Sequence, residues 1–561
     1  MSFTFQGLGG TSEVGASCYL YTFGDTAQQT RVLIDAGTRP NTLGAASLPE
    51  FDLLGNAPDA LLLTHAHSDH IGALPLLKQR FPNLPVYATP ATAHIALAML
   101  TDAVKVQASQ GAPLYELKNV AAALAGIRPV SPGAPFRLGS LGDVVTAYNA
   151  GHLLGAVSYL LETPHGRVFH TGDVSNVGGY TTDAALIPDH PPKCDVVVCE
   201  STYGDTVSHV SRKSEVRRFA VAVGETLEAG GRVLVPAFAL GRSTEVALTL
   251  ADHMQGGLIP KVPIVLDGLV RTLHQAMAES LFDQLPVTLQ NRAHNSGGNP
   301  LYPDTLLSVE SNRQRQGLIH SREPMVVIAS SGMLSAGVSP LYAKPLVQDE
   351  RNLLAFVGYQ DEGAPGKRLL ESTESGGEVK LPTGPSNSFE TVPVHCKLGA
   401  FSFSGHADAG GLVALVKRYS PKRVVLVHGD GGSRQALGGL LKKSAQVEWP
   451  QNGDIIDLAA PTYLETLQQR RDQTSTTESP TASTDSPTSD KRRTKLVRFK
   501  TTVTAKLEGQ RLVLEFPEEV DTRHLLGGVD SFRVEIAKGE RLKVKLREVW
   551  GREGDGEEGS E

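Results

Sequence analysis

The stretch Thr64-His65-Ala66-His67-Ser68-Asp69-His70 puts three imidazoles and a carboxylate within six residues. Neutral imidazole and carboxylate are the donors that a divalent zinc ion takes when thiolates are absent. In the extended backbone expected just after a strand, His65 and His67 point the same way, because alternate side chains share a face. Asp69 and His70 fall on the next turn, within reach of a second ion. Four clustered donors do not complete two sites. A catalytic metal pair needs about three protein ligands per ion, a bridging carboxylate and open positions. The chain offers His152 in AGHLLGAVS, Asp173 at the end of VFHTGD and His428 near the end of RVVLVHGD. Each alone suits a structural role as well as ligation; their common placement beside apolar strands makes them a set.

The elements that must hold these residues can be read from the apolar runs. Ser17 to Phe23 and Arg31 to Ala36 read as a strand pair, and Ala60 to Thr64 as a short strand feeding the histidine cluster. Val168 to Asp173 and Asp195 to Glu200 are further strands, each ending in an acid, where a rigid sheet hands over to a loop. From about Tyr203 to Val392 strands alternate with helices: Arg232 to Phe238, a helix through Met254, Val262 to Asp267 and another helix, Met325 to Ser330, and Asn352 to Tyr359. That alternation implies a parallel α/β sheet. Phe401 to Asp408 and Arg423 to Asp430 again read as strands ending in histidine or acid, so the α/β block is an insertion into a first domain whose chain resumes near Val394. Residues 474–490 are rich in Ser, Thr and Pro and read as a flexible linker. Beyond them, Lys495 to Glu515 alternates around a turn at Glu508 to Gln510, as a β-hairpin does. Ser531 to Ile536 and Leu542 to Val549 add two strands to a small β-rich C-terminal domain.

Length and composition set bounds. A chain of 561 residues is too long for one ordinary core. With 40% hydrophobic and 20% charged residues it is globular, and its formal charge of −7 leaves the partner undecided, since a local groove can attract a polyanion. Its four cysteines, Cys18, Cys194, Cys199 and Cys396, form no CxxC pair, so neither a thiolate zinc site nor a disulfide framework is expected. Cys18 and Cys199 read as small buried residues. The N-terminus does not read as a signal peptide, and no apolar run approaches membrane-spanning length, so a cytoplasmic protein with no membrane partner is expected.

The order HxHxDH, GH at His152, TGD at Asp173 and VHG at His428 resembles the metallo-β-lactamase superfamily. That resemblance implies an αββα sandwich with a metal pair between its sheets. It implies that His65, His67 and His152 hold one ion, that Asp69, His70 and His428 hold the other, and that Asp173 bridges them, with two Zn2+ as cofactors and Mn2+ as the alternative activating ion. Asp35, in VLIDAG, matches the acidic position that supports the metal-binding loop without being a ligand. Glu200 in ESTYGD, PAFALGR (Pro236 to Arg242), SSGMLSAG (Ser330 to Gly337), GYQDEG and SGHAD around His406 narrow the likeness to the β-CASP nucleases. It spans roughly Gly7 to Asp454 and looks nearest to the nuclease subunit of the cleavage and polyadenylation specificity factor and its prokaryotic relatives. Ribonuclease J is more distant, since it usually has Asp where this chain has Glu200. The expected layout is a metallo-β-lactamase domain (1–205 and 393–465), an inserted α/β β-CASP domain (206–392), a linker (466–494), a small β-rich domain (495–550) and a frayed tail (551–561).

The implied chemistry is phosphodiester hydrolysis. Two cations neutralise the phosphoryl charge and bring a water's pKa to about 7, and in-line attack leaves a 5′-phosphate and a 3′-hydroxyl. The resemblance gives Asp69, Glu200 and His406 catalytic positions. His406 is the candidate general acid, because imidazole titrates near working pH, and Glu200 its orienting carboxylate. Ser330, Ser331 and Gly332 follow a strand and are expected to bare N–H groups to phosphate at a helix start. Arg242, with Lys367 and Arg368, is expected on the nucleic-acid backbone, and Lys491, Arg492 and Arg493 are a weaker, sequence-blind candidate. By the resemblance, histidine at position 428 favours RNA over DNA, and dimerisation is common. The expectation is therefore a ribonuclease of RNA processing or decay, endonuclease or 5′-to-3′ exonuclease, acting as a homodimer. A DNA-processing nuclease, a thioesterase or lactonase on the same sandwich, and a catalytically dead scaffold are the alternatives.

Overall fold

Along the strand Cys18–Gly24, Tyr19, Tyr21 and Phe23 turn into one apolar core while Cys18 and Leu20 turn into another. The same period of two separates Val196 and Val198 from Val197 and Cys199, and Val425 and Val427 from Val424 and Leu426. A strand that buries both faces needs a layer on each side. The computed structural model, which describes residues 2–25, 28–138, 143–361, 363–371, 377–382, 388–459, 504–508 and 511–515, supplies those layers.

Two seven-stranded sheets face each other across a core of Phe3, Phe5, Tyr19, Tyr21, Tyr159 and the inward valines. In the first sheet the order runs Ile455–Asp457, Ser2–Gly9, Cys18–Gly24, Gln29–Ile34, Ala60–Leu62, Val86–Ala88, Arg128–Pro129. In the second it runs Gln446–Glu448, Arg423–Val427, Val196–Glu200, Gly166–His170, Val157–Thr163, Asp143–Asn149, Pro135–Leu138. Helices Leu74–Arg80, Pro90–Ser109 and Leu117–Leu124 pack on the outside of the first sheet, and helices Ala409–Tyr419 and Gly431–Leu441 on the outside of the second. This is the αββα sandwich expected from the sequence.

Val196–Glu200 and Arg423–Val427 are neighbouring parallel strands, with Glu200 opposite Val427, although 222 residues separate their ends. Most of that intervening chain builds a third sheet of six parallel strands, in the order Leu306–Ser308, Ile264–Asp267, Val326–Ala329, Val233–Pro236, Leu353–Phe356, Lys397–Ala400. Four of these strands are buried along their whole length, as befits a parallel sheet covered on both faces. Lys397–Ala400 pairs with Leu353–Phe356, so this sheet takes a strand from beyond the boundary placed at residue 392.

Phe401 to Asp408, expected as a strand, is a loop. Phe401 and Phe403 both turn onto the ring of Phe219 in edge contacts, and Ser404 Oγ then closes a turn on His406 that ends the extended run. The chain divides into two units, Met1–Arg470 and Arg471–Glu561. In the second, Thr504–Glu508 pairs antiparallel with Arg511–Glu515, the hairpin expected around Glu508 to Gln510. The linker, Lys491 to Arg493, the two later strands and the tail lie outside the described residues. All four cysteines are buried and free. Among the described residues no helix is long and apolar enough to cross a membrane.

Candidate metal centre

The sandwich brings its chemistry to one end. Three neighbouring parallel strands, Gly166–His170, Val196–Glu200 and Arg423–Val427, finish side by side, so Asp173, Glu200 and His428 emerge together. Ala60–Leu62 of the facing sheet delivers the segment from Thr64 to His70. Two of the residues there hold left-handed backbone: Asp35 at φ 62° and His428 at φ 51°. Such conformations cost free energy in a non-glycine residue and persist where surroundings over-determine them. Here the fixing bonds are Asp35 N–H to Leu62 O at 3.0 Å and His428 N–H to Gly10 O at 2.7 Å. Gly151, at φ 72°, precedes His152 because a Cβ there would stand 2.3 Å from Ala185 N and 2.4 Å from Ser175 O.

Two donor sets result. In the first, Nδ1 of His67 lies 3.1 Å from Nε2 of both His65 and His152. Asp173 Oδ2 is 3.5 Å from His65 Nε2 and 3.7 Å from His152 Nε2. Metal bonds of about 2.0–2.1 Å in a tetrahedron require donors about 3.3 Å apart, so this spacing suits a single ion. In the second set, His70 Nε2 and His428 Nε2 are 3.4 Å apart, and Asp69 Oδ2 is 3.8 Å from the former and 3.3 Å from the latter. Asp173 Oδ2 is also 3.5 Å from His70 Nε2, so one oxygen serves both sets. Asp173 Oδ1 is buried without a hydrogen bond. Grouping imidazole lone pairs and buried carboxylates this tightly is unfavourable unless a cation lies among them.

Electrostatics differ between the halves. Burial pushes His65 and His152 well below the ordinary histidine range and His67 down to about 4, so all three are neutral, the form that binds metal. Burial acts the same way on His70 and His428, but Asp173 and Asp69 outweigh it and raise both. The carboxyls of Asp69 and Asp173 are in turn held below the usual range, against the effect of burial, by His70 and His428.

Several of the ring nitrogens that face away from the donor sets are engaged by hydrogen bonds. His70 Nδ1 meets Asp35 Oδ2 at 2.7 Å, and Asp35 also accepts from Thr64 N at 2.8 Å and Thr64 Oγ1 at 2.7 Å. His65 Nδ1 meets Thr64 Oγ1 at 3.0 Å, and His152 Nδ1 meets Gly405 O at 2.7 Å. These bonds hold the proton on Nδ1 and leave Nε2 as the lone pair turned inward. Asp35 thus braces two candidate ligands, His70 directly and His65 through Thr64.

Glu200 and His406 sit at the rim. His406 Nδ1 is 3.1 Å from Glu200 Oε1 and 3.0 Å from Oε2, and Glu200 also accepts from Val174 N at 2.7 Å and Thr202 Oγ1 at 2.6 Å. The ring of His406 lies 4.5 Å from that of His152. The His406 side chain keeps 14% of its surface exposed and Glu200 1%, so His406 is the member that can meet a substrate. The guanidinium of Arg242 lies so close to Gly405 that a Cβ there would be 2.2 Å from Nη1. Its Nε is buried with no hydrogen-bond partner, and burial lowers its pKa to about 10.

All seven expected ligands converge, and Asp35, Glu200, His406 and Arg242 lie against them. The segment of Ser330, Ser331 and Gly332 is arranged differently from expectation. It closes on itself: Ser331 Oγ accepts from Ser335 N and Ala336 N at 3.2 Å each, and Ser330 O accepts from Val338 N and Ser339 N at 2.8 Å each. Within this stretch the N–H groups of Ser331, Leu334, Ser335 and Ala336 are taken up inside the turn. Lys367 pairs with Glu371 one turn on, at 3.2 Å. Sequence reasoning missed Thr64, Thr202 and the carbonyl of Gly405. Thr64 and Thr202 stand beside a named ligand or acid in the chain; the carbonyl carries no side-chain signal.

Known proteins share this pattern. Residues 11–198 match the metallo-beta-lactamase superfamily, residues 243–369 the Beta-Casp domain, and residues 391–450 the Zn-dependent metallo-hydrolase RNA specificity domain. The last stretch contains both His406 and His428. The chain is 33% identical over 468 residues to the transcription termination factor FttA of Methanosarcina mazei, covering 79% of this chain and 69% of that protein. It is 31% identical over 483 residues to the factor of the same name from Thermococcus kodakarensis, covering 81% and 71%. It is 34% identical over 444 residues to Ribonuclease TTHA0252 of Thermus thermophilus, covering 78% and 96%. With its sandwich, inserted parallel sheet and metal-ligand sets in this order, the chain belongs to the β-CASP family of metallo-β-lactamase-fold hydrolases.

Proposed function

We propose that this chain is a two-zinc ribonuclease that hydrolyses RNA phosphodiesters to 5′-phosphate and 3′-hydroxyl products in RNA processing or decay. The observation that carries the reading is the placement of Asp173 Oδ2, 3.5 Å from Nε2 of both His65 and His70, with an acid-held histidine beside the two donor sets. His65, His67 and His152 would hold one ion and Asp69, His70 and His428 the other, with Asp173 within reach of both. When bound, a zinc pair there would supply phosphoryl charge neutralisation and a hydroxide at neutral pH.

The chain's own residues do the rest. Arg242, whose Nε has no hydrogen-bond partner, offers its guanidinium to a phosphate oxygen, and the loop of Ser330, Ser331 and Gly332 lines the same substrate path in this reading. As the P–O3′ bond breaks, His406 gives the proton on Nε2 to the leaving oxygen and later regains one from water. Glu200 holds Nδ1 and stabilises the charged ring. The division into a sandwich, an insertion whose sheet reaches Ala400, a linker, a β-rich domain and a tail is part of the proposal. So do cytoplasmic residence without membrane contact, and the homodimer implied by the resemblance. A monomer in sedimentation at micromolar concentration would remove the dimer.

RNA is preferred because residues 391–450 match an RNA specificity domain and because the three relatives above are named for ribonuclease or transcription-termination activity. The test offers the purified chain, loaded with zinc, matched RNA and DNA oligonucleotides labelled at either end, and a circular RNA. Cut circles establish endonuclease action; mononucleotides from a 5′-phosphate end establish trimming. Faster cleavage of DNA, or activity on a thioester alone, would overturn the proposal.

A further inference from the structure

The hydroxyl of Thr202 touches both halves of the site. It lies 2.6 Å from Glu200 Oε2 and 3.0 Å from His428 Nδ1, with the carbonyl of His428 more distant at 3.3 Å. A threonine hydroxyl has one proton to give. Glu200 is ionisable and acceptor-only when charged, and it offers the shortest contact, so the proton goes there. The lone pairs of Oγ1 are then left to accept, and among the described residues the donor that faces them is Nδ1–H of His428. That bond puts the His428 proton on Nδ1 and turns Nε2, as a lone pair, toward Asp69 Oδ2 at 3.3 Å and His70 Nε2 at 3.4 Å. Asp173 Oδ1, 3.4 Å from His428 Nδ1, is the weaker competitor by distance.

We propose that Thr202 is a positioning residue: its hydroxyl, donating to Glu200 and accepting from His428, fixes the His428 tautomer and ties the second donor set to the Glu200–His406 pair. The proposal rests on the ligand and acid roles given above. The chain of contacts runs His428 Nδ1, Thr202 Oγ1, Glu200, His406 Nδ1, and each link is 2.6–3.1 Å. His65, His70 and His152 receive their outer bonds from Thr64, Asp35 and Gly405. Thr202 is the corresponding partner for His428. Unlike those, it is shared with the acid machinery, so a change at the second ion and a change at His406 are felt together.

The test compares Thr202→Val, Thr202→Ala and Thr202→Ser in the full chain, each checked for folding by circular dichroism. Each is loaded with cobalt for its d–d absorption and with zinc for kinetics on end-labelled RNA. Val and Ala are expected to lower kcat, or affinity for the second equivalent of metal, by about ten- to a hundred-fold. Both should also change the cobalt spectrum while leaving KM close to that of the parent. Ser is expected to restore both. If Val fails to fold, the Ala–Ser pair carries the comparison. A parental spectrum and kcat in Ala overturn the proposal, as does a Ser variant as impaired as Ala. Glu200→Gln and His406→Ala run alongside separate the two levels: if they too retain the parental rate, the acid reading fails and not only the role of Thr202.

Discussion

His406 Nδ1 stands almost equidistant from the two carboxylate oxygens of Glu200, 3.1 Å from one and 3.0 Å from the other, across 206 residues of sequence. The pairing fixes the ring with its opposite nitrogen free. His406→Ala should therefore lower kcat by about 10²–10⁴-fold, the range expected for loss of a general acid, with metal content unchanged. Single-turnover cleavage with metal analysis checks this. A variant that loses metal together with rate would place His406 among the ligands instead.

Asp173 shares one oxygen between both donor sets. Asp173→Ala should lose tight binding of at least one of the two ions and drop cleavage to background. Its fold should persist, because Asp173 Oδ1 makes no hydrogen bond and Oδ2 faces only ligand nitrogens. Plasma emission spectrometry on the purified variant reads the metal. Two ions per chain at parental affinity would exclude the bridging role.

Arg242 has no partner at Nε and lies against Gly405, next to His406. Its loss should therefore be felt by substrate rather than by the fold. Arg242→Ala is expected to lower kcat/KM for RNA by about ten- to a hundred-fold, as loss of a charge-assisted hydrogen bond of about 1.5–3 kcal/mol implies. The hydroxyl of Thr202 is engaged with Glu200 and His428 instead, so the two effects should multiply. An unchanged kcat/KM would make Arg242 a packing residue.

Glu245 ties the loop after Asp173 to the inserted domain. It accepts from Tyr180 N at 3.0 Å, from Thr181 N and Oγ1 at 2.7 Å each, and from Arg212 Nη2 at 3.1 Å. Glu245→Ala leaves those buried N–H groups without an acceptor and should cost about 3 kcal/mol of stability. Most of that loss comes from the backbone donors, since Arg212 is partly solvated. A urea midpoint unchanged from the parent would show that water takes over the donors.

The candidate ligands were legible because metal chemistry compresses into short runs of rare composition: HxHxDH announces itself without a fold. Placing His152, Asp173 and His428 around that run required the rule that strand ends gather, and the parallel pairing of Val196–Glu200 with Arg423–Val427 bears it out. What escaped was pairing that sequence distance hides. Thr202 meets His428 across 226 residues, and His152 meets a backbone carbonyl, which no side-chain pattern encodes. Apolar alternation misled at Phe401 to Asp408, where both phenylalanines pack on Phe219 and the next residues turn. The reading of SSGMLSAG as bare phosphate-binding N–H groups did not anticipate that Ser331 Oγ would take two of them.

The central claim is that two divalent ions, held at the seven side chains around Asp173, make this chain cleave RNA. The most direct measurement strips the purified protein with chelator, returns zinc in steps, and follows cleavage of 5′-labelled RNA against zinc per chain. The account predicts no cleavage without metal, a rise to a plateau at about two equivalents, and 5′-phosphate products. Full cleavage by the stripped chain, or none at any zinc level by a chain that has bound two ions, would contradict it.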